Sequence, residues 1–294
     1  MNRIEIASYA KVNLTLEISE KRPDGFHEID SVVQTIDITD DLIMEKVEPG
    51  VIRVGSDTLG VPEGRGNIVY RACEAFFARA GLRGGVECFL RKRIPMQAGL
   101  GGGSGNAAAA VAGLNVMYEC GLSAGEIADI VAEVGSDSPL FVYGGTVRMR
   151  GRGELIEPLP DAPQMHMVVV KPDAGVSTAW AYGEFDRLSV HERKRAGEDA
   201  QRSILAGDRG GLISSLYNDF DPIVCAAVPD VERAKRLLMR SGAEWAMLSG
   251  SGSAVFGIFE TCERASGAAI DLCGEFSQVF LTQTVGRDKS ALMK

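Results

Sequence analysis

The chain has 294 residues, of which 45% are hydrophobic and 24% are charged. These are the proportions of a soluble globular protein with one large domain or two. Forty acidic residues against 31 basic ones give a formal net charge of −9. General binding to nucleic acid requires a basic surface, so we expect no nucleic-acid partner, and any anion must bind where positive charge is local.

The cysteine pattern and the apolar segments bear on location. The six cysteines form no CxxC pair and no metal-ligand spacing with the three histidines, so we expect reduced thiols in a cytoplasmic protein. The first 17 residues lack the long apolar segment of a secretory signal. Residues 94–118 carry no charge, but Pro95 and the clustered glycines argue against a membrane helix.

The first half of the chain begins with short segments rich in β-branched residues. They predict strands at 4–8, 12–18, 31–38 and 41–48. A helix is predicted at 67–81 and a strand at 86–94. After an alanine-rich helix, Ser123 and Glu126 form a capping box for the next helix, so Asp137 lies just beyond a helix end.

The second half has a different order of elements. It predicts a strand at 165–171, helical segments between about 178 and 216, a helix at 230–241, strands at 244–250 and 254–259, a helix near 262–273 and a strand at 277–283. Strand, helix, strand, strand, helix, strand is the ferredoxin-like order. The proline-containing segment between the halves predicts a boundary, with an N-terminal domain at 1–157 and a C-terminal domain at 158–294.

The segment PMQAGLGGGSGN, residues 95–106, places five glycines directly before the alanine-rich helix. Glycines let backbone N–H groups face a ligand, and a helix N-terminus adds unpaired donors, so the segment predicts an anion cradle with Ser104 at the N-cap. A purely structural tight turn is the alternative. No lysine follows the last glycine, and Ser104 interrupts G-x-G-x-x-G, so neither familiar phosphate motif is present.

This loop resembles the phosphate loop of the GHMP kinases, the family of galactokinase, homoserine kinase and mevalonate kinase. ASYAKVNLTL (7–16), GSDSPLF (135–141) and LSGSGSAVFG (248–257) match further motifs in the family's order. RPDGFHE (22–28) is similar to members whose acceptor carries cytidine diphosphate. The resemblance implies an α+β GHMP kinase fold, with an N-terminal domain like domain 2 of ribosomal protein S5 and a ferredoxin-like C-terminal domain.

The resemblance also implies roles for individual residues. Asp137 becomes the proton acceptor, and Lys11, a lysine inside an apolar strand, becomes its charge partner. Lys92 and Asn67 would contact the nucleotide, although a solvated strand end and a helix cap explain those two residues without a ligand. The loop residues that would bind the nucleotide are Pro95, Met96, Gln97, Ala98, Gly99, Leu100, Gly101, Gly102, Gly103, Ser104, Gly105 and Asn106.

The acceptor site is implied in the same way. Asn13 would contact the methylerythritol end, and cytosine would lie between Phe26 and Tyr182 while His27 reads its polar edge. The alternative is that Phe26 and Tyr182 are core residues and His27 is exposed. The turn Gly250–Ser253 would close the site from the second domain, although a simple hairpin explains its spacing equally well.

The implied reaction is transfer of the ATP γ-phosphoryl group to the 2-hydroxyl of a cytidyl methylerythritol, a middle step of the non-mevalonate isoprenoid pathway. ATP with Mg²⁺ and one small-molecule acceptor are the implied ligands, without a metal site built from protein side chains. We expect a monomer or homodimer. A GHMP kinase of the mevalonate or homoserine type is one alternative, and a noncatalytic ligand-binding protein of this fold is another. The presence of both Lys11 and Asp137 argues against the second.

Overall fold

A computed structural model of the chain describes residues 1–187 and 194–293. Within these residues the chain builds two sheets, each packed against helices. The strands of the first sheet are β1 (Arg3–Asn13), β2 (Thr15–Lys21), β3 (His27–Lys46), β4 (Ile52–Ser56), β5 (Val86–Arg91), β6 (Thr146–Gly151), β7 (Leu155–Pro158) and β9 (Tyr217–Asn218). The helices of this half are α1 (Ile68–Ala80), α2 (Gly102–Tyr118), α3 (Ala124–Ala132) and α4 (Ser138–Tyr143).

The long strand β3 organises the first sheet. It pairs antiparallel with β1, β2, β5 and β6 along different parts of its length. Its register with β1 places Lys11 opposite Thr35 and Asn13 opposite Val33. Since Lys11 and Asn13 are two residues apart on a strand, their side chains project from the same face of the sheet.

The helix starts of the first half follow local sequence signals. The Asn67 side chain accepts a hydrogen bond of 2.8 Å from the backbone N–H of Val69, which confirms the predicted cap of α1. Ser123 and Glu126 make both bonds of the predicted capping box at α3. The uncharged stretch 94–118 forms a loop and the buried helix α2. No helix within the described residues has both the length and the apolar character needed to cross a bilayer.

The second sheet is built from four antiparallel strands in the order β10, β11, β8, β12. Their bounds are β8 (His166–Val170), β10 (Trp245–Leu248), β11 (Val255–Phe259) and β12 (Val279–Gln283). The helices are α5 (Thr178–Arg187), α6 (Ala196–Ala206), α7 (Arg209–Ser214), α8 (Phe220–Ala227), α9 (Pro229–Arg240), α10 (Cys262–Cys273) and α11 (Arg287–Ser290). The predicted ferredoxin-like order is confirmed. Residues 188–193, part of the predicted helical region 178–216, lie outside the described residues.

The two halves of the chain are joined at several points. β7 ends at Pro158 in the first sheet and β8 begins at His166 in the second, while β9 crosses back to pair with β2. The backbone N–H of Val285 donates to the carbonyl of Thr35 at 2.9 Å. The division of the chain at residues 157/158 stays a prediction, because late residues contribute to the first half of the structure.

Candidate active site

The glycine segment forms a loop that leads directly into α2. Gly101 is the N-cap, with φ of +73°, and the helix begins at Gly102. A Cβ atom at Gly101 would lie within 3.0 Å of both Lys11 and Phe141. Glycine is therefore required here because the backbone has a positive φ and because there is no room for a side chain. The prediction that Ser104 caps the helix is wrong. Gly102 and Gly103 already have helical backbone, which places Ser104 inside the first turn.

Two cavities adjoin this loop. The first, which we call the loop cavity, has a volume of about 360 Å³ and is lined by Asn67, Lys92, apolar side chains that include Val61 and Leu90, and the loop residues other than Gly105. Gly105 is buried in α2. The second, which we call the cleft, has a volume of about 640 Å³. The predicted catalytic and acceptor-binding residues that line the cleft are Lys11, Asn13, Asp137 and Tyr182. Gln97, Gly99 and Gly101 line both cavities, so the loop forms a shared wall between them.

Lys11 is a buried ammonium at the base of the cleft, with 3% of its surface exposed. Its Nζ donates to Oδ1 of Asn13 at 2.5 Å, and its backbone N–H donates to the carbonyl of Leu100 at 3.0 Å. Burial lowers the pKa of Lys11 from its usual value, and the negative charge of Asp137 opposes that shift. Among the described ion pairs none joins Lys11 to Asp137 directly, so the two charges interact across the cleft.

Asp137 reaches the cleft from the other side. It lies between the end of α3 and the start of α4, and its side chain makes no capping bond to α4. The carboxylate is therefore not engaged in a capping hydrogen bond to the helix that follows it. Lys11, Asn13 and Asp137 come from β1 and from the segment before α4, and the fold brings them to one cavity next to the glycine loop.

Lys92 lines the loop cavity but has a partner that sequence analysis missed. Its Nζ forms an ion pair with Asp40, whose side chain has no exposed surface. Asp40 also accepts hydrogen bonds from the Nδ2 of Asn106 and from two backbone N–H groups just before the loop. The sequence around Asp40 carries no motif. Only its position between the predicted strands 31–38 and 41–48, in an acidic pair with Asp41, distinguishes it.

The turn between β10 and β11 contacts the loop from the second half of the chain. Ser249 Oγ donates to the carbonyl of Gly99 at 3.0 Å, and the Ala254 N–H donates to the carbonyl of Ala98 at 3.1 Å. A side chain at Gly99 would lie 2.0 Å from the Ser249 carbonyl oxygen, so this approach requires glycine. Gly250, Ser251 and Gly252 line the cleft. The turn is therefore both a hairpin connection and a wall of the cleft.

Two of the aromatic residues predicted for the acceptor site, His27 and Tyr182, contact each other. The ring of His27 is stacked on Tyr182, with centroids 5.0 Å apart and an interplanar angle of 17°. His27 Nε2 also lies 2.7 Å from Oδ1 of Asp186. Tyr182 and Asp186 are four residues apart on α5, so one helix face holds the imidazole. Phe26 is half-exposed, with the guanidinium of Arg152 5.0 Å from its ring centroid.

The placement of cytosine between Phe26 and Tyr182 stays a prediction, and in the structure His27 is stacked on one face of the Tyr182 ring. The alternative expectation that His27 is exposed is wrong, since 7% of its surface is exposed. Burial raises the pKa of Tyr182 to about 12, with a further contribution from the charge of Asp137, so its hydroxyl stays neutral near pH 7.

The donor set near the loop suits a metal ion that arrives with a ligand. Within residues 1–187 and 194–293, no group of three or more His, Cys, Asp and Glu side chains is placed to hold a metal ion. Asp137 is the acidic residue in the cleft wall, and the loop cavity wall contains the hydroxyl of Ser104. Mg²⁺ commonly binds through few protein groups together with substrate phosphates, so these residues fit a nucleotide-bound ion.

The fold and the loop define a class of protein. The model of the GHMP kinases N terminal domain matches residues 67–145, and the model of the GHMP kinases C terminal domain matches residues 200–277. The chain belongs to the GHMP kinase family, as the loop and the two-part fold predicted.

Similarity to individual proteins is more specific. The chain is 39% identical to the 4-diphosphocytidyl-2-C-methyl-D-erythritol kinase of Pelotomaculum thermopropionicum over 275 residues, which are 94% of this chain and 96% of that protein. A crystal structure of 4-(cytidine 5'-diphospho)-2C-methyl-D-erythritol kinase is 28% identical and superimposes with a TM-score of 0.79, covering 96% of this chain and 100% of the other. Homoserine kinase from Cytophaga hutchinsonii also has a TM-score of 0.79, covering 98% and 96%, at 19% identity. The similarity to homoserine kinase concerns the fold alone.

Proposed function

We propose that this protein is an ATP-dependent kinase that phosphorylates the 2-hydroxyl of 4-diphosphocytidyl-2-C-methyl-D-erythritol. The near full-length relative named for this reaction supports the choice of acceptor. Membership of a kinase family supports ATP as the phosphoryl donor. The other GHMP kinase activities have weaker support, because the homoserine and mevalonate kinases similar to this chain in structure are 19% identical or less.

The shared wall between the two cavities is the observation that carries the proposal. A kinase must bring the donor phosphate and the acceptor hydroxyl to one point while it binds the rest of each molecule separately. The loop cavity offers glycine N–H groups and an apolar wall, which suits a nucleotide. The cleft offers Lys11, Asn13 and Asp137, which suits a hydroxyl acceptor. Gly99 and Gly101 line both spaces, so a γ-phosphate at the loop is adjacent to the cleft.

The chemistry assigns one step to each group. The acceptor oxygen forms a bond to the γ-phosphorus, the bond from that phosphorus to the bridging oxygen breaks, and ADP leaves. The proton of the acceptor hydroxyl passes to the carboxylate of Asp137. Lys11, held by Asn13, supplies positive charge beside the transferring group. Loop N–H groups at the start of α2 stabilise the phosphate oxygens.

We further propose that Mg²⁺ enters with the nucleotide. The hydroxyl of Ser104 lies in the loop cavity wall and would hold the ion together with the phosphates. The ion neutralises phosphate charge when bound. Omission of Mg²⁺ in the presence of EDTA should abolish turnover, and full turnover under that condition would contradict this part of the proposal.

The function is tested by following ADP release with three acceptors in parallel: the cytidyl methylerythritol, mevalonate and homoserine. We expect release with the cytidyl acceptor alone, and a product heavier by one phosphoryl group by mass spectrometry. Preference for mevalonate or homoserine would reassign the enzyme within the family. No release with any of the three, from a protein that binds ATP, would favour the noncatalytic alternative.

A further inference from the structure

The buried carboxylate of Asp40 accepts hydrogen bonds from residues at both ends of the glycine loop. Asp40 lies on β3 and belongs to the wall of neither cavity, so it does not touch a ligand in either space. We propose that Asp40 is a positioning residue, which holds the loop and Lys92 in the conformation that accepts ATP. This inference rests on the proposed function, because it takes ATP as the ligand of the loop.

The hydrogen bonds of Asp40 come from both sides of the loop. Its Oδ1 accepts from the backbone N–H groups of Arg93, at 2.7 Å, and Ile94, at 2.8 Å, which precede the loop. Its Oδ2 accepts from Nζ of Lys92 and, at 3.0 Å, from Nδ2 of Asn106, where the loop has already become helix. An ionised carboxylate has about four lone-pair positions, and these four donors occupy them.

These hydrogen bonds hold the loop in place at both of its ends. The chain enters the loop at Ile94 and is in α2 by Asn106, so a carboxylate bonded to both restricts the conformations of everything between them. Preorganised N–H groups bind a phosphate without first losing conformational entropy, which favours binding. The loop is rich in glycine, the residue with the most conformational freedom, so it gains the most from such a restraint.

Lys92 gains a defined position from the same carboxylate. Its Nζ would lie 3.2 Å from a Cβ atom at Gly102, which places the ammonium against the first residue of α2. An ammonium has three N–H donors, so the bond to Asp40 leaves donors for a nucleotide oxygen. Burying a carboxylate is unfavourable unless it is paired, and the ion pair with Lys92 supplies the compensating charge.

The substitution Asp40→Asn tests the proposal with little change in shape. The Asn amide keeps one oxygen for the two backbone N–H groups but turns an NH₂ group toward Lys92 and Asn106, which are themselves donors. We expect the KM for ATP to rise at least tenfold while the KM for the acceptor stays within twofold. Asp41→Asn is the matched control. Asp41 forms a partly exposed pair with Arg93 at 3.5 Å, and its loss should leave both KM values within twofold.

A second measurement separates this inference from the proposed function. Hydrogen exchange on the ligand-free protein does not depend on turnover, and in Asp40→Asn the amides of Arg93 and Ile94 should exchange at least tenfold faster than in the wild type. The Asp41→Asn control should leave those rates unchanged. If exchange is faster in Asp40→Asn but the wild-type protein shows no ATP turnover, the restraint on the loop is supported and the kinase assignment is rejected.

Two results would overturn the inference. One is a folded Asp40→Asn protein whose KM for ATP stays within twofold of the wild type. The other is an equal rise in both KM values, which indicates general destabilisation instead of loop positioning. If Asp40→Asn does not fold, Asp40→Glu keeps the charge for Lys92 but displaces the carboxylate by one methylene. The same selective rise in the KM for ATP is then expected, and its absence would again reject the proposal.

Discussion

Gly103→Ala separates the binding role of the loop from its structural role. Gly103 is the second residue of α2 and is exposed in the wall of the loop cavity. A Cβ atom there would meet one neighbour, the Cγ2 of Ile68, at 3.6 Å, which is an ordinary contact. Gly102→Val is a poorer test, because a Cβ at Gly102 would lie 2.9 Å from Ile94 and would disturb the protein itself.

We expect Gly103→Ala to increase the stability of the protein and to weaken the binding of ATP. Alanine is a better helix former than glycine by about 0.8–1.0 kcal/mol in a helix interior, and about half of that gain applies in a first turn. The melting temperature of Gly103→Ala should therefore rise by about 1–2 °C. The methyl group would also displace a phosphate oxygen from the cradle. Loss of one hydrogen bond to a charged group costs about 1.5–3 kcal/mol, or roughly a 10- to 150-fold rise in the KM for ATP.

Steady-state kinetics at saturating acceptor measures the KM for ATP, and calorimetric melting measures stability. Gly125→Ala is the matched control, because Gly125 is the second residue of α3 and a Cβ atom there would have no neighbour within 4 Å. We expect Gly125→Ala to gain similar stability with unchanged kinetics. A Gly103→Ala protein that melts no lower than the wild type and keeps its KM for ATP would refute the phosphate cradle.

Three further predictions concern Asp137, Lys11 and Phe26. Asp137→Asn removes the proton acceptor at constant size, so kcat should fall by roughly 10²–10⁴ while the melting temperature stays within about 2 °C. Lys11→Met removes a buried ammonium, so kcat should fall while stability is kept or increased. The lowered pKa of Lys11 sets a pH window between that pKa and 10.5, in which the unfolded chain binds a proton that the folded chain does not. Wild-type stability should therefore include a component that rises with pH there and is absent in Lys11→Met. In the folded enzyme kcat should decline as the pH rises through the lowered pKa of Lys11, because the ammonium is lost at that point. Phe26→Ala should weaken the cytidyl acceptor by about ten- to a hundredfold and leave ATP binding unchanged, since base stacking is worth roughly 1–3 kcal/mol.

Each of these predictions has a contrary result. Turnover retained in Asp137→Asn would place the proton acceptor elsewhere. A melting temperature lowered by several degrees in Lys11→Met would show that the ammonium stabilises the fold. Equal loss of ATP and acceptor affinity in Phe26→Ala, or no loss of either by calorimetric titration, would remove Phe26 from the acceptor site. Phe26 is half-exposed, so its truncation is not expected to affect folding.

Local features of the fold were predictable from short stretches of sequence. The cap at Asn67 and the capping box of Ser123 with Glu126 depend on residues two or three positions apart, and both are present. The order of strands and helices in the second half follows from hydrophobic periodicity in the same way. The family was predicted from several motifs that resemble those of the GHMP kinases and occur in the same order. The cap assigned to Ser104 failed because glycine residues before it adopt helical backbone, although glycine has low helix propensity.

The arrangement of the site depended on contacts between distant residues. Asn106 binds Asp40 across 66 positions of sequence, and His27 reaches Asp186 across 159. The chain has 40 acidic side chains, and nothing near Asp40 in sequence marks it as the partner of the loop. The packing of β3 beneath the loop selects that carboxylate, and the position of α5 puts His27 against Tyr182. Sequence determined the local conformations and the type of loop, because those depend on neighbouring residues. Tertiary structure decided which charges and rings meet, because that depends on how the sheets and helices pack.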